Sequence, residues 1–344
     1  MVAILSLTIA NIMLKTKEKT ETLVASPQQE LLEKLVRQDH AFRALNNVLN
    51  FTKLFTPYRS LYSHTGTIGI DIEKGLKALL LQFWEDLSDR QMEYALQENV
   101  AMKWFCGFTL LEATPDHTYF CKLRKRVGEK GIAALFQSIN EELQRKGLFG
   151  NVFTFIDASS IVSKTALWKE RDKAIKEGEE KLNNKNVKHF ATDTDARWGS
   201  KGKDKIWFGY KRHNAVDMRH GLIKDLIVTP ANVLDFKVLN DICPNQGMVF
   251  SDKLYDCKDA DAVFVSHNCH PATIRKNNNK VKNRMLDKWR SRVRMPFEST
   301  FSRLRKRAKF RGQQKVFAQC LLESICYNLK KAIAILPRGI PLRA

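Results

Sequence analysis

Three acidic residues carry the chemistry this sequence allows. Asp157 follows the apolar run Val152-Phe153-Thr154-Phe155-Ile156, and Asp252 follows Met248 to Ser251. Both runs read as short buried strands. Carboxylates at the C-terminal ends of neighbouring buried strands would lie close together and repel. A divalent cation between them makes the arrangement favourable. Hard cations such as Mg²⁺ accept one or two carboxylates and leave room for water and phosphate oxygens. The plainer alternative makes each aspartate a turn or N-cap residue. Glu298 is placed by periodicity. In a helix over 294–308, Phe297, Phe301, Leu304 and Ala308 form the buried stripe, and Glu298 lies about 100° around from Phe297. Arg294 and Arg305 then share the face of Glu298. They form either a surface ion pair or a pair of guanidinium clamps for phosphate. Phosphodiester cleavage uses such a set: two Mg²⁺ or Mn²⁺ ions about 4 Å apart, carboxylates to hold them, and cations on the scissile phosphate.

Other residues fit around this centre. Lys211 and His213 alternate onto one face of a strand-like run, Lys211 as a phosphate contact and His213 beside the metal site, or both on a plain exposed face. Lys253 and Tyr255 follow Asp252 as candidate DNA contacts, though Tyr255 suits a packed aromatic better. Trp198 and Trp207 suit packing better than base stacking. His267, Cys269 and His270 lack a second half at zinc-binding spacing.

The charge balance names the partner. Among 344 residues, 58 Lys and Arg face 37 Asp and Glu, a formal net charge of +21. A surface that positive attracts polyanions, nucleic acid first among them. Seven cysteines, an odd number, give no disulfide framework, so a reducing cytoplasm is expected. The apolar stretch Met1 to Leu14 is shorter than the roughly 20 residues a bilayer requires, and a docked or frayed helix is expected there. No membrane association is expected.

The elements that must position these residues fall into two halves. Residues 28–50 carry apolar side chains at helical spacing, as does the run holding Leu76, Leu79, Leu80 and Phe83. Ser88 reads as the N-cap of a helix over 89–99. A basic helix with Lys122, Arg124, Lys125 and Arg126 follows the break at Pro115. Past Gly150 the pattern becomes mixed. Strands are expected at 152–156, 206–216, 222–228, 248–251 and 262–265, a solvated charged helix or loop at 163–188, and a last helix at 317–336. The expected organisation is an extension over 1–27, a helical DNA-binding domain over 28–149, and an α+β catalytic domain over 150–336 with a charged insertion at 160–205.

Several motifs together resemble the bacterial DDE transposases of the IS-five type, from about residue 28 to 336. They include Leu87-Ser88-Asp89-Arg90-Gln91, Pro115-Asp116-His117-Thr118, Trp207-Phe208-Gly209-Tyr210-Lys211-Arg212-His213, Thr229-Pro230-Ala231-Asn232 and Ser251-Asp252-Lys253-Leu254-Tyr255-Asp256. Arg294, Glu298 and Arg305 are similar to the Arg, Glu and Lys of that family's Tyr-x2-Arg-x3-Glu-x6-Lys signature. Three positions depart from it: Ser291 for the tyrosine, Arg305 for the lysine, and Leu254 for a glycine. The resemblance implies an RNase H-like second half, with Asp157, Asp252 and Glu298 as catalytic metal ligands. It implies cleavage at the terminal inverted repeats of an insertion sequence, strand transfer into target DNA, and a homodimer on the DNA. It also implies a bacterial, nucleoid-associated setting. A nuclease without strand transfer, or a decayed DNA-binding copy, would share the same pattern.

Overall fold

A computed structural model describes residues 27–62, 69–165, 167–202 and 205–336. The apolar stretch Met1 to Leu14 lies outside them. The described residues form two compact units, 27–47 with 69–123 and 48–62 with 124–336.

The first unit is helical. It comprises α1 (Pro27–Leu35), most of α2 (Ala41–Val48), α4 (Ile72–Trp84), α5 (Asp89–Glu98), α6 (Val100–Cys106) and the start of α7 (His117–Arg145). Its core gathers Phe42, Leu76, Leu79, Met92, Leu96 and Phe105, all buried. Ser88 caps α5 as expected: its hydroxyl accepts from Gln91 N–H, and the Gln91 side chain accepts from Ser88 N–H.

The second unit takes α3 (Phe51–Phe55) and α7 from Arg124 onward, with a break at Gly128 (φ 67°). The expected domain boundary at 149/150 therefore falls inside this unit. The reason is a set of bonds between α7 and the sheet. Asn140 Nδ2 donates to Ile223 O and Lys224 O, each at 3.1 Å, and Asn140 Oδ1 accepts from Asn328 Nδ2 at 2.9 Å.

The sheet contains β1 (Phe153–Val162), β2 (Arg197–Lys201), β3 (Lys205–Asp217), β4 (Leu222–Pro230), β5 (Gly247–Ser251) and β6 (Cys269–Thr273). Its order is β2-β3-β1-β5-β6, with β4 also paired to β3. β1 runs antiparallel to β3 and parallel to β5, so the sheet is mixed. One face carries Ile156, Ala215, Val249 and Tyr255 against the short helix α10 (Leu239–Ile242) and α11 (Lys258–Ser266). The opposite face is covered by α12 (Arg284–Arg303) and α13 (Gln313–Ile335), with Phe155 edge-on to Phe301 at 5.4 Å. This is the α+β arrangement of a helical region followed by a mixed sheet flanked by helices.

Three elements differ from expectation. β1 continues past Ile156 to Val162, because β3 pairs with it along its whole length. Residues 262–265 lie within α11 rather than a strand; Phe264 is buried while Val265 is exposed, the one-sided burial of a surface helix. The charged segment after β1 forms α8 (Leu167–Lys176) and α9 (Val187–Phe190), and it anchors α13. Asp193 accepts from the N–H of Gly312, which precedes the helix, at 3.1 Å, and Asp195 accepts from Gln313 N–H, the first helical donor, at 3.0 Å.

Candidate active site

Strand register brings two of the three carboxylates together. Phe155 of β1 opposes Phe250 of β5 in the parallel pair, so two residues further on Asp157 stands level with Asp252. Asp252 is still extended (φ −81°, ψ 178°), and neighbouring strands run about 4.8 Å apart. Asp157 feels Asp252. Enclosure by protein pushes the Asp157 carboxyl up to about 7, and the Asp252 charge pushes the same way. The Asp252 carboxyl is also raised, chiefly by burial. Arg294 and Lys201 pull both back down without cancelling the rise.

Each aspartate also serves its own backbone. Asp157 Oδ1 accepts from Ala158 N–H and Asp252 Oδ1 from Leu254 N–H, both at 2.8 Å. Asp252 is thus an N-cap, of the single turn Lys253–Tyr255, as well as one of a repelling pair. The plain and the chemical readings hold at once, because one oxygen caps while the second is left for other contacts.

Glu298 sits differently. It is exposed on α12 and bonded to Arg294 Nη2 at 3.3 Å. Among the described residues no three His, Cys, Asp or Glu side chains gather closely enough to hold a metal. Glu298 is therefore linked to the aspartates through Arg294, whose guanidinium bears on both. Arg294 lies over the Phe155 ring at 5.7 Å, and its Nε and Nη1 are buried without a hydrogen-bond partner. Two unused donors beside a carboxylate pair fit a phosphate oxygen.

Arg305 leaves the expected face. α12 ends at Arg303, and Leu304 is already extended (ψ 148°). The chain then pairs with the end of β1: Val162 N–H donates to Lys306 O at 2.8 Å and Ala308 N–H to Val162 O at 2.9 Å. Helical spacing therefore does not carry from Glu298 to Arg305, although Phe301, Leu304 and Ala308 are buried as expected.

The residues on the β3 side are corrected too. His213 is fully buried, donating to or accepting from Thr229 Oγ1 at 2.9 Å, and burial holds its ring down to about 4. Tyr255 is fully buried with an unpartnered hydroxyl. Neither can touch DNA from there. Lys211 is committed to Asp235 Oδ1 at 2.7 Å and Val233 O at 2.9 Å. Lys253 remains exposed beside Asp252. Trp207 is buried and donates to Tyr210 O at 3.1 Å, the packing role expected of it.

Sequence reasoning gave three contributors no part in the site. Lys201 ends β2 and bears on both aspartates, and no motif marks it. Asp235 adds negative charge near Asp252, though Lys211 partly offsets it. Asn214 is the cross-strand partner of Asp157. Its oxygen accepts from Arg212 Nε at 3.2 Å, and its Nδ2 is buried and unpaired. Arg212 is itself wholly buried, bonded to Glu323 at 3.0 Å, to Cys320 O at 2.8 Å and to the Ser324 hydroxyl. The charge pair fixes α13 to the strand that backs Asp157.

A mixed sheet with a raised aspartate pair on adjacent strands, an arginine with spare donors and a strong positive charge defines a class of protein that works on polyanions. Comparison with known families agrees. Residues 30–126 match a transposase domain (DUF772), and residues 150–329 match the transposase DDE domain. The second match covers more than half of the chain, and the chain belongs to the DDE transposases. The catalytic domain is RNase H-like, and DNA is the substrate such domains bind. No solved structure matches the chain. Among the described residues, no helix is long and apolar enough to cross a membrane.

Proposed function

We propose that this transposase cuts DNA at the ends of an insertion sequence of the IS-five type and joins the freed ends to target DNA. The observation that carries the reading is the Asp157–Asp252 pair, level on adjacent strands, with the Asp157 carboxyl raised to about 7 by burial and by its neighbour. Like charges are rarely held so close without a purpose. Oxygen donors of this kind fit Mg²⁺ or Mn²⁺, with Asp157 and Asp252 as the primary ligands. Glu298, paired with Arg294 in the structure, would be the third ligand. When bound, the divalent ions supply Lewis-acid polarisation of the phosphoryl oxygens and a more acidic attacking water.

The chain's own residues do the rest. Arg294 turns its two unpaired donors to the scissile phosphate and neutralises charge that builds there. Lys253, exposed next to Asp252, holds a neighbouring phosphate. Water attacks the phosphodiester and breaks the bond to the 3′ oxygen. The 3′-hydroxyl so released then attacks a target phosphodiester, displacing a new 3′-hydroxyl. Two copies of the chain hold the two ends.

The departure at Leu254 keeps the bond that supports Asp252, because that bond comes from the backbone N–H. The test is an assay on labelled inverted-repeat ends with Mg²⁺. Joined products are expected from the wild type, and Asp157→Ala should still bind the ends but cut none. Nicks without joining point to a nuclease. Binding without cutting in the wild type points to a decayed copy.

A further inference from the structure

A second cationic site lies beyond the carboxylates. Lys164, Lys309, Phe310, Arg311 and Lys315 line a cleft of about 270 Å³. Four of the five lining side chains are positive and none is negative. Lys164, Arg311 and Lys315 are exposed, and among the described residues they make no ion pair. Phe310 forms the apolar wall and lies under the Arg124 guanidinium at 4.8 Å.

The backbone forces these charges together. Lys164 follows the end of β1, and Lys309 to Arg311 follow the segment that pairs with Val162. Lys315 falls in the first turn of α13, where the helix dipole disfavours a cation. The helix N-terminus is not itself the site, since Asp193 and Asp195 already accept from Gly312 and Gln313 N–H. Four cations around one cleft repel each other, and an anion relieves the cost. The exposed donors of Lys164, Arg311 and Lys315 suit a phosphodiester oxygen.

The location says which phosphate. From Asp157 to Val162 the strand advances about 3.3 Å per residue, so the cleft lies roughly 20 Å from the carboxylates. On a duplex lying along β1, with one phosphate per strand every 3.4 Å or so along its axis, this separation would be about six base pairs. We propose that this cleft grips the backbone of the duplex roughly half a turn from the bond being cut. The assignment of the cut itself rests on the function proposed above.

The test is the salt dependence of binding to labelled duplex DNA by the full chain. Removing one protein–phosphate interaction flattens the plot of log affinity against log salt by about 0.9. The variant Lys164→Gln/Arg311→Gln/Lys315→Gln should flatten it by roughly 2 to 3 and weaken binding about tenfold or more. It should still cut at saturating DNA. The control Lys237→Gln/Lys258→Gln removes two exposed cations elsewhere in the second unit and should leave the slope unchanged. Equal flattening by variant and control means diffuse charge and overturns the cleft. So does an unchanged slope, even where inorganic phosphate binds. If the triple variant melts early, the three single variants carry the test, each expected to flatten the slope by about 0.9. A wild type that cuts nothing while the slope still falls would sink the catalytic reading and leave the cleft standing.

Discussion

Asp157 is where function and stability pull against each other. A carboxyl raised to about 7 costs the folded state whenever it is ionised, and here both burial and Asp252 contribute. Replacing it with asparagine keeps the shape and removes the charge. Asp157→Asn should therefore raise the melting temperature of the metal-free protein at neutral pH while abolishing DNA cleavage; a variant that melts lower would mean the carboxylate is paired after all. Arg294 is the complementary case. Its Nε and Nη1 are buried without partners, a state that costs about 1–3 kcal/mol until a phosphate arrives. Arg294→Lys keeps the charge but loses the planar fork, so DNA cleavage should fall by about tenfold or more with little change in folding. Steady-state cleavage beside a thermal melt separates the two effects.

Secondary elements decide which of these residues the sequence makes legible. Asp157 and Asp252 could be read because buried strands announce themselves by β-rich apolar runs, and the register of β1 on β5 sets them level. Arg305 could not. Its place depends on α12 stopping at Arg303 so that residues 306–308 can pair with Val162, a pairing across more than a hundred residues that no local period encodes. Tertiary pairing of the same kind buried His213, which alternation alone left on an open face. Ala262 to Val265 look like a strand in isolation because four apolar residues fit either geometry. The charged insertion hides its role for a related reason. Asp193 appears as one acid in a polar run, yet it is buried, bonded to the Tyr210 hydroxyl at 2.5 Å, to Ser163 and to Gly312 N–H. Asp193→Ala would strand the Tyr210 and Ser163 hydroxyls and release the Gly312 N–H just before α13. It should cost roughly 3 kcal/mol, read from the midpoint of urea unfolding. An unchanged midpoint would mean that the insertion does not hold the last helix.

At the scale of the whole molecule, three groups shifted by burial give the pH profile a definite sign. Asp157 stands at about 7 and Asp225 at about 6, the latter raised by burial with a lesser push from Asp241. Between the unfolded value of 3.8 and these figures, the folded chain holds protons that the unfolded chain has released, so stability is lost as pH rises. His213, held down to about 4 by burial, works the other way: below its ordinary 6.5 the unfolded chain takes the proton, so stability is gained with rising pH. From about pH 4 to 6 two carboxyls oppose one histidine; towards pH 7 only Asp157 is still titrating among the three. The metal-free protein should therefore melt progressively lower from about pH 4 to pH 7, and Asp157→Asn should remove the last part of that decline. Mg²⁺ favours the ionised carboxylates, so it should restore the melting temperature at neutral pH and do less near pH 4, where Asp157 keeps its proton. Calorimetry across that range, with Mg²⁺ and with a chelator, reads both effects. Equal stabilisation by Mg²⁺ at the two ends would place the ion somewhere other than on Asp157 and Asp252.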